Sequence, residues 1–475
     1  MKQKMNNVIP YLTFAVFSAI LLLKAFGSGD ELWNYSFAKN ITNGMVPYRD
    51  FSIIQTPLSA YIPAIFMAVL GDGLFVHRVV GCFLMFAIMA FVYHLCKKST
   101  NSVFIGLIAS LFVACVTLPF YIYNYNYLSA LIVLLILEIE LNDEKDCIRK
   151  HTIIGLLVGI LPLVKQNIGA MFMVVNFIIC IFNTVKYKMN YRKQIARVFL
   201  SIIPTIFYLV YMLCVGALND FFDYAVIGIT TFVHRTTPFE LICRAPFFVL
   251  YITFIVIAFI FMLYKIHKDI SHTPKISFVL YALAWLMVTY PLFDAYHLVC
   301  VFIVLVPIFC MFVEEKKYKL WEKCICTMVA LFVSVLSVLA FLPLNEDSHL
   351  SSVNYYENIP IDEEAEKNII SICEYINKKR EQGYRIRITD DSAMAYKIPI
   401  DYYEKNWDML LVGNIGTNTV QDLLNTSDKC LYLIYRHTES LGAQNHFEVI
   451  EYIKKNYVKI EEVLEFDVYE KKSES

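Results

Sequence analysis

Apolar residues in this chain gather in long runs instead of alternating with polar ones. Val8 to Phe26, Leu74 to Leu95 and Phe247 to Leu263 are each nearly free of charge. At 1.5 Å of rise per residue such runs cross a hydrocarbon core of roughly 30 Å, so they read as membrane spans. Taken in order, the pattern predicts about eleven spans, near 8–26, 74–95, 103–118, 127–141, 152–164, 168–184, 198–216, 246–264, 276–292, 297–313 and 322–342. The first run follows Lys2 and Lys4 and ends in Lys24-Ala25-Phe26-Gly27 without a small-x-small cleavage site, so it reads as an uncleaved span. After Leu342 the pattern changes. Helices are expected over 363–379, 419–424 and 446–456, with strands over 384–389, 430–435 and 459–469, as in a small sheet covered by helices. The fold class is therefore a polytopic α-helical membrane protein with a C-terminal soluble α/β domain. Its domains are 1–343, within the membrane, and 344–475, outside it.

Composition agrees with this. Of 475 residues, 58% are hydrophobic, above what a soluble globule carries. Net charge is −1, from 41 basic and 42 acidic residues, so placement is more informative than balance. With the N-terminus in the cytoplasm, the cytoplasmic loops hold Lys97, Lys98, Arg149, Lys150, Lys186, Lys188, Arg192, Lys193, Lys316 and Lys317 among others. The opposite loops hold Lys39, Arg49, Lys165, Arg235 and Arg244, an asymmetry that the positive-inside rule assigns to one orientation. The loop 27–73, the loop 217–245 and the C-terminal domain then lie outside the cytoplasm. Most of the 13 cysteines, such as Cys82, Cys115 and Cys180, sit in apolar runs and read as small buried hydrophobes, and none has zinc-ligand spacing with histidine. Nothing points to nucleic acid. Abundant Lys, Ile, Asn and Tyr suggest an AT-rich bacterial genome, and with it the plasma membrane.

The loop 27–73 carries the clearest chemistry. It runs Gly29-Asp30-Glu31-Leu32-Trp33, enters a helical stretch to Gly44, continues Met45-Val46-Pro47-Tyr48-Arg49-Asp50 and Gln55-Thr56-Pro57, and ends in an apolar helix from Leu58 to Leu70. Both helices are too short to span and suit the membrane surface. Asp30 and Glu31 stand where the first span emerges. A carboxylate there loses solvation, which raises its pKa and suits it to accept a proton; equally, two acids suit the first turn of a helix as caps.

Asp-Glu at the span exit, then Gly-x-x-Pro-Tyr-x-Asp, then Pro-Leu before a surface helix resembles the first extracytoplasmic loop of the GT-C glycosyltransferases. Within them it is most similar to the bacterial branch related to protein mannosyltransferases, the aminoarabinose transferase and the Rgt-type enzymes. The detailed likeness covers about residues 28–80. The resemblance implies transfer of a sugar from a polyprenyl-phosphate donor to a glycan, lipid or protein acceptor on the outer face, with inversion at the anomeric carbon. It implies Asp30 as the base with Glu31 beside it, and Tyr48, Arg49 and Asp50 shaping the loop near the donor. Where relatives carry a basic residue or a Pro-Pro pair this chain has Gln55, and where many carry a second acid it has Tyr123-Asn124-Tyr125-Asn126-Tyr127. Asn124 and Asn126 can bind sugar hydroxyls but not act as bases, while the tyrosines suit either interfacial anchoring or sugar stacking.

A phosphate donor needs cations on the outer side. Lys165, in Leu163-Val164-Lys165-Gln166-Asn167, fits either snorkelling or phosphate contact, and Arg78, beside His77, has the same two readings. His297 follows Asp294-Ala295-Tyr296 between two apolar runs and reads as a hydrogen-bonded structural group or a ligand contact, as do His234 and Arg235. Cations can stabilise the leaving phosphate unaided; a divalent ion could also serve, though no metal site is indicated. The alternatives from other classes are a flippase or transporter of lipid-linked glycans, or a glycan polymerase. The polar residues gather at outer ends of spans instead of the midplane, which favours a transferase over a transporter.

Overall fold

The structure is a computed structural model that describes residues 2–27, 29–142, 147–231, 237–268, 273–313, 348–389, 398–400, 429–436 and 447–471. The expected span at 322–342, the helix at 419–424, and His234 and Arg235 lie outside the described residues. The chain divides into two compact units, each drawn from separate stretches. One comprises Met1–Leu21, Gly81–Tyr208 and Arg235–Leu342; the other comprises Leu22–Val80, Leu209–His234 and Pro343–Ser475.

The helices in order are α1 (Lys2–Ala19), α2 (Gly29–Thr42), α3 (Leu58–Leu70), α4 (Leu74–Thr100), α5 (Val103–Thr117), α6 (Tyr125–Leu141), α7 (Ile148–Val164) and α8 (Gln166–Val185). There follow α9 (Tyr191–Cys214), α10 (Leu218–Phe222), α11 (Pro238–Arg244), α12 (Phe248–Lys268), α13 (Thr273–Trp285) and α14 (Ala295–Cys310). Among the described residues, five helices are long and apolar enough to cross a membrane: Leu74–Thr100, Val103–Phe120, Gln166–Val185, Tyr191–Cys214 and Phe248–Lys268. The other expected spans that fall on described residues are shorter helices. Val8–Leu23, Lys275–Thr289 and Ala295–Cys310 are short apolar helices, and α6 and α7 have 17 residues each. In α14 nearly every residue from His297 to Cys310 is buried by protein, which produces the same uniform apolar signal as lipid.

In the first unit, small residues set the helix spacing. A Cβ on Gly155 would come within 2.5 Å of the Arg197 carbonyl oxygen, and one on Gly159 within 2.4 Å of that of Ser201. This pair of glycines, four residues apart on α7, lets the backbone of α9 approach directly, as small-xxx-small patterns do in membranes. A buried polar knot ties the same bundle. Arg197 Nη1 lies 2.7 Å from Glu140, its Nε donates to Asn176 at 2.6 Å, and its Nη2 donates to the Tyr281 hydroxyl, so α6, α8, α9 and α13 meet at one guanidinium.

In the second unit, α2 packs on α3, and the C-terminal segment forms β1 (Ser348–Leu350) paired antiparallel with β2 (Pro360–Asp362), then α15 (Glu363–Glu381). Beyond it β3 (Arg385–Thr389), β4 (Cys430–Tyr435), β5 (Tyr457–Val463) and β6 (Phe466–Lys471) form one sheet in the order β3-β4-β6-β5, with α16 (Phe447–Asn456) against β5 and β6. β3 and β4 run parallel and the remaining pairs antiparallel. The single strand expected over 459–469 is instead a hairpin that turns at Leu464-Glu465, with Leu464 at φ +50°. No Gly, Asn or Pro announces that turn.

Gly159→Ala is expected to lower stability by about 1–3 kcal/mol, because the added methyl meets backbone that cannot yield without moving α9. Thermal unfolding of the detergent-solubilised chain reads this as a clear fall in Tm; an unchanged Tm would show that α7 and α9 are not in direct backbone contact.

Candidate active site

The first loop is built around a buried ion pair. Glu31 lies on the first turn of α2, facing inward, and Arg78 lies one turn into α4. Arg78 Nε and Nη2 donate to the two carboxylate oxygens of Glu31 at 3.0 and 2.9 Å, and both side chains are nearly inaccessible. Arg78 also donates to the carbonyls of Lys24 and Ala25, which lie just past the end of the first span. Burial alone would push the Glu31 carboxyl up, but Arg78 and Lys24 outweigh it and hold the pKa at about 2. Arg78, which the sequence left open to phosphate contact, is thus engaged by Glu31 and by backbone.

Asp30 takes the opposite orientation. As the neighbour of an inward residue on a helix it points away, and its side chain is exposed. The carboxyl raised by lost solvation that the sequence suggested is therefore not found in Glu31, which is buried but held down by Arg78, and exposed Asp30 lacks the burial it requires. Asp30 is the more accessible of the two carboxylates, set at the N-terminal end of α2, where the backbone dipole favours negative charge.

The other loop residues form a hydrogen-bonded chain. Asn34 Nδ2 donates to the Asp30 carbonyl at 2.7 Å, Gln55 Nε2 donates to Asn34 Oδ1 at 3.1 Å, and the buried Tyr48 hydroxyl donates to the Gln55 carbonyl at 2.8 Å. Gln55 is thus a buried brace between the loop and α2, with a hydrogen-bonded Nε2 and an Oε1 that has no hydrogen bond. Tyr48 has φ +71°, and Asp50 closes the turn around it by accepting the Val46 N–H at 2.7 Å while pairing with Arg49 at 2.7 Å. Arg49 is the exposed member of this group. Asn34 and Lys24 were not singled out in the sequence; a helical i, i+4 count from Asp30 would have found Asn34.

The second set of expected residues lies in the other unit, around the α7–α8 junction and the starts of α6 and α14. Lys165 is buried, and its Nζ donates to Asn126 Oδ1 at 2.8 Å and to the Val288 carbonyl at 3.4 Å. Burial pushes its pKa down to about 8, against the opposing pull of Cys300 and Asp294. Asn124 caps α6, its side-chain oxygen accepting from the N–H groups of Asn126 and Tyr127, which is a structural use of a residue expected to meet sugar hydroxyls. Asp294 caps α14 and accepts from the His297 N–H at 2.8 Å, while His297 Nδ1 lies 2.9 Å from the same oxygen. Asn167, not singled out earlier, donates to the carbonyls of Met287 and Tyr290 at 3.1 and 2.8 Å and anchors the junction. Tyr127 and Tyr296 meet edge-on near this cluster. Among the described residues, no group of three His, Cys, Asp or Glu side chains could hold a metal ion.

Residues 54–220 match the family model described as dolichyl-phosphate-mannose-protein mannosyltransferase. The matched stretch includes Gln55, Arg78, Asn124, Asn126 and Lys165 and begins after Asp30. Comparison with curated proteins finds no match by sequence. Among solved structures, the chain is similar to ArnT from Cupriavidus metallidurans in its apo state (TM-score 0.57, 10% identity, covering 98% of each chain). It is also similar to the same protein bound to undecaprenyl phosphate (TM-score 0.55, 10% identity, covering 98% of this chain and 97% of that one). A third likeness is to the oligosaccharyltransferase of Archaeoglobus fulgidus in complex with Zn and sulfate (TM-score 0.51, 12% identity, covering 94% of this chain and 71% of that one). The shared architecture is the GT-C fold.

Glu31→Gln is expected to destabilise the chain by about 3–5 kcal/mol, since it leaves Arg78 buried without its counter-charge, whereas Asp30→Asn at an exposed position should cost less than about 1 kcal/mol. Glu31 has a folded pKa below the ordinary 4.5, so its contribution is complete above pH 4.5 and is lost as pH falls towards 2. Thermal unfolding of the two variants at neutral pH, and of the wild type between pH 5 and 2, checks both statements.

Proposed function

From the GT-C fold and the likeness of the first loop to that of GT-C glycosyltransferases, we propose that the chain is a membrane glycosyltransferase that takes a sugar from a polyprenyl-phosphate donor, with Asp30 as general base. The observation that supports this most is the division of labour between adjacent carboxylates. Glu31 is locked to Arg78, and Asp30 is left exposed beside it at a helix start. A base must reach the acceptor hydroxyl, and only the outward residue of such a pair can do so.

In the proposed reaction Asp30 accepts the proton of the acceptor hydroxyl as its oxygen attacks the anomeric carbon. The bond from that carbon to the donor phosphate oxygen breaks, the anomeric centre inverts, and polyprenyl phosphate leaves with the electron pair. The Glu31–Arg78 pair fixes the position of α2 and so of Asp30, and the Tyr48–Gln55–Asn34 chain braces the loop behind it. Lys165, hydrogen-bonded to Asn126 in its own unit, is a separate candidate for donor contact, because a buried ammonium suits a phosphate oxyanion. His297, held by Asp294, and the exposed Arg49 are further contacts for donor or acceptor. No step requires a metal, and a divalent ion could share the phosphate. The chain is placed in a bacterial plasma membrane with its N-terminus in the cytoplasm. The bound undecaprenyl phosphate in the similar ArnT supports a donor of this lipid class.

Two outcomes test the reading. In membranes supplied with a panel of radiolabelled polyprenyl-phosphate sugars, transfer should occur with one donor and fall at least about a thousandfold in Asp30→Asn, as loss of an essential base requires; full activity in that variant would remove Asp30 from the chemistry. For Lys165, charged below a pKa of about 8, donor affinity should weaken as pH rises through 8. Lys165→Arg should remove that pH dependence, and Lys165→Ala should weaken donor binding roughly tenfold at pH 7. A donor KM unaffected by pH and by both substitutions would assign Lys165 to structure.

A further inference from the structure

Within the C-terminal part of the second unit, a cavity of about 380 Å³ opens between the loop 351–359 and one face of α15. Its size suits a single sugar ring. Ile369, Ile372 and Ile376 of α15 are buried, and the adjacent face presents Cys373, Asn377 and Arg380, at helical spacing, to the cavity. Arg380 is the feature that calls for a ligand. Its Nη2 is buried and makes no hydrogen bond, and among the described residues no carboxylate pairs with it. Buried guanidinium N–H groups are mostly satisfied, so an arginine that lines a cavity and keeps one N–H without an acceptor has capacity for an oxyanion from outside. Ser352, Asn354 and Asn377 add neutral polar groups, and Ile400 adds an apolar wall of the kind on which the C–H face of a sugar ring can rest.

The loop that roofs the cavity is held firmly. The Ser351 hydroxyl and the Ser352 N–H both donate to Glu366 at 3.0 Å, and Tyr355 and Asn358 adopt φ of +69° and +64°, which side-chain-bearing residues rarely do. Tyr355 lines the cavity and also reaches the first loop. Its carbonyl accepts the Leu74 N–H at 2.8 Å, and the Lys39 ammonium lies over its ring. An occupant of the cavity would therefore rest on the same residue that fixes the base of the Asp30 loop.

We infer that this cavity is a subsite for a sugar bearing an oxyanion, a carboxylate or a phosphate, which forms part of the acceptor; the acceptor role rests on the transferase reading proposed above. The guanidinium of Arg380 takes the oxyanion, and the amides of Asn354 and Asn377 take ring hydroxyls.

The test is a titration of glucuronic acid, glucose 1-phosphate and glucose into the full chain in detergent without donor, followed by ligand-observed NMR. At least one acidic sugar should bind roughly tenfold or more tightly than glucose, and Arg380→Gln should erase that preference while Arg380→Lys keeps part of it. The two acids distinguish a carboxylate from a phosphate. Equal binding of glucose, a preference that survives Arg380→Gln in a chain of unchanged Tm, or no binding of either acid overturns the inference. Loss of binding in Arg380→Gln supports it when Arg380→Lys restores binding and counts against it when the lysine variant, folded, binds nothing. Absent binding with transfer intact counts against the subsite alone. Binding intact with no transfer from any donor supports a sugar site and counts against the transferase reading alone.

Discussion

The arrangement of the first loop depends on one desolvated ion pair. Removing two charges from water costs several kcal/mol each, and that cost is met only if the partners remain together with their remaining valences satisfied. Glu31 and Arg78 meet this condition through two parallel hydrogen bonds, and the guanidinium also takes the carbonyls of Lys24 and Ala25. One side chain thus fixes three things: where the first span ends, where α2 begins and how α4 starts. A helix whose first turn is pinned from inside presents the preceding residue outward. The exposure of Asp30 follows from the burial of Glu31, and the proposed chemistry follows from that exposure.

The brace behind this pair is of a different kind. Tyr48, Gln55 and Asn34 are neutral, and each uses a side chain to hold the backbone or side chain of another loop residue. Hydrogen bonds of this type contribute about 1 kcal/mol each but restrict rotation, which holds the loop in one arrangement. In the other unit Lys165, Asn167 and Asp294 serve the junctions of α7 with α8 and the start of α14 in the same way, by side chains bonded to backbone or to one another. Lys165 differs in being a buried cation without a paired carboxylate within hydrogen-bond distance among the described residues, and so has capacity left for an anion.

Much of the fold was legible where the pattern is local. The limits of α3 and β4 coincide with the runs Leu58 to Leu70 and Cys430 to Tyr435, and α15 and α16 differ from expectation by a residue or two. The hairpin at Leu464 was not legible because the turn is made by residues that carry no turn signal and is imposed by pairing with β4. Whether an apolar run is covered by protein or by lipid was not legible, because both leave the same pattern, as the buried α14 shows. In the loop, polar residues such as Glu31, Tyr48 and Gln55 stood out in the sequence, but the contacts that they make did not. Arg78 is 47 residues from Glu31, and nothing in either segment announces the other. Asn124 and Gln55 have the chemistry to meet a sugar, and only geometry shows the first as a helix cap and the second as a brace.

The clamp between the first loop and the C-terminal segment has a temporal side. Phe26 donates its N–H to the Pro360 carbonyl and Leu74 donates to Tyr355, so the two ends of the loop are stitched to residues made 334 and 281 positions later. During synthesis those partners emerge only after the ribosome has delivered every helix up to α14. Until then the two ends of the loop lack these backbone partners, and the helix carrying Asp30 has one fewer anchor. The first loop is translated early and completed late, since its two C-terminal backbone partners exist only in a chain whose elongation has passed α14.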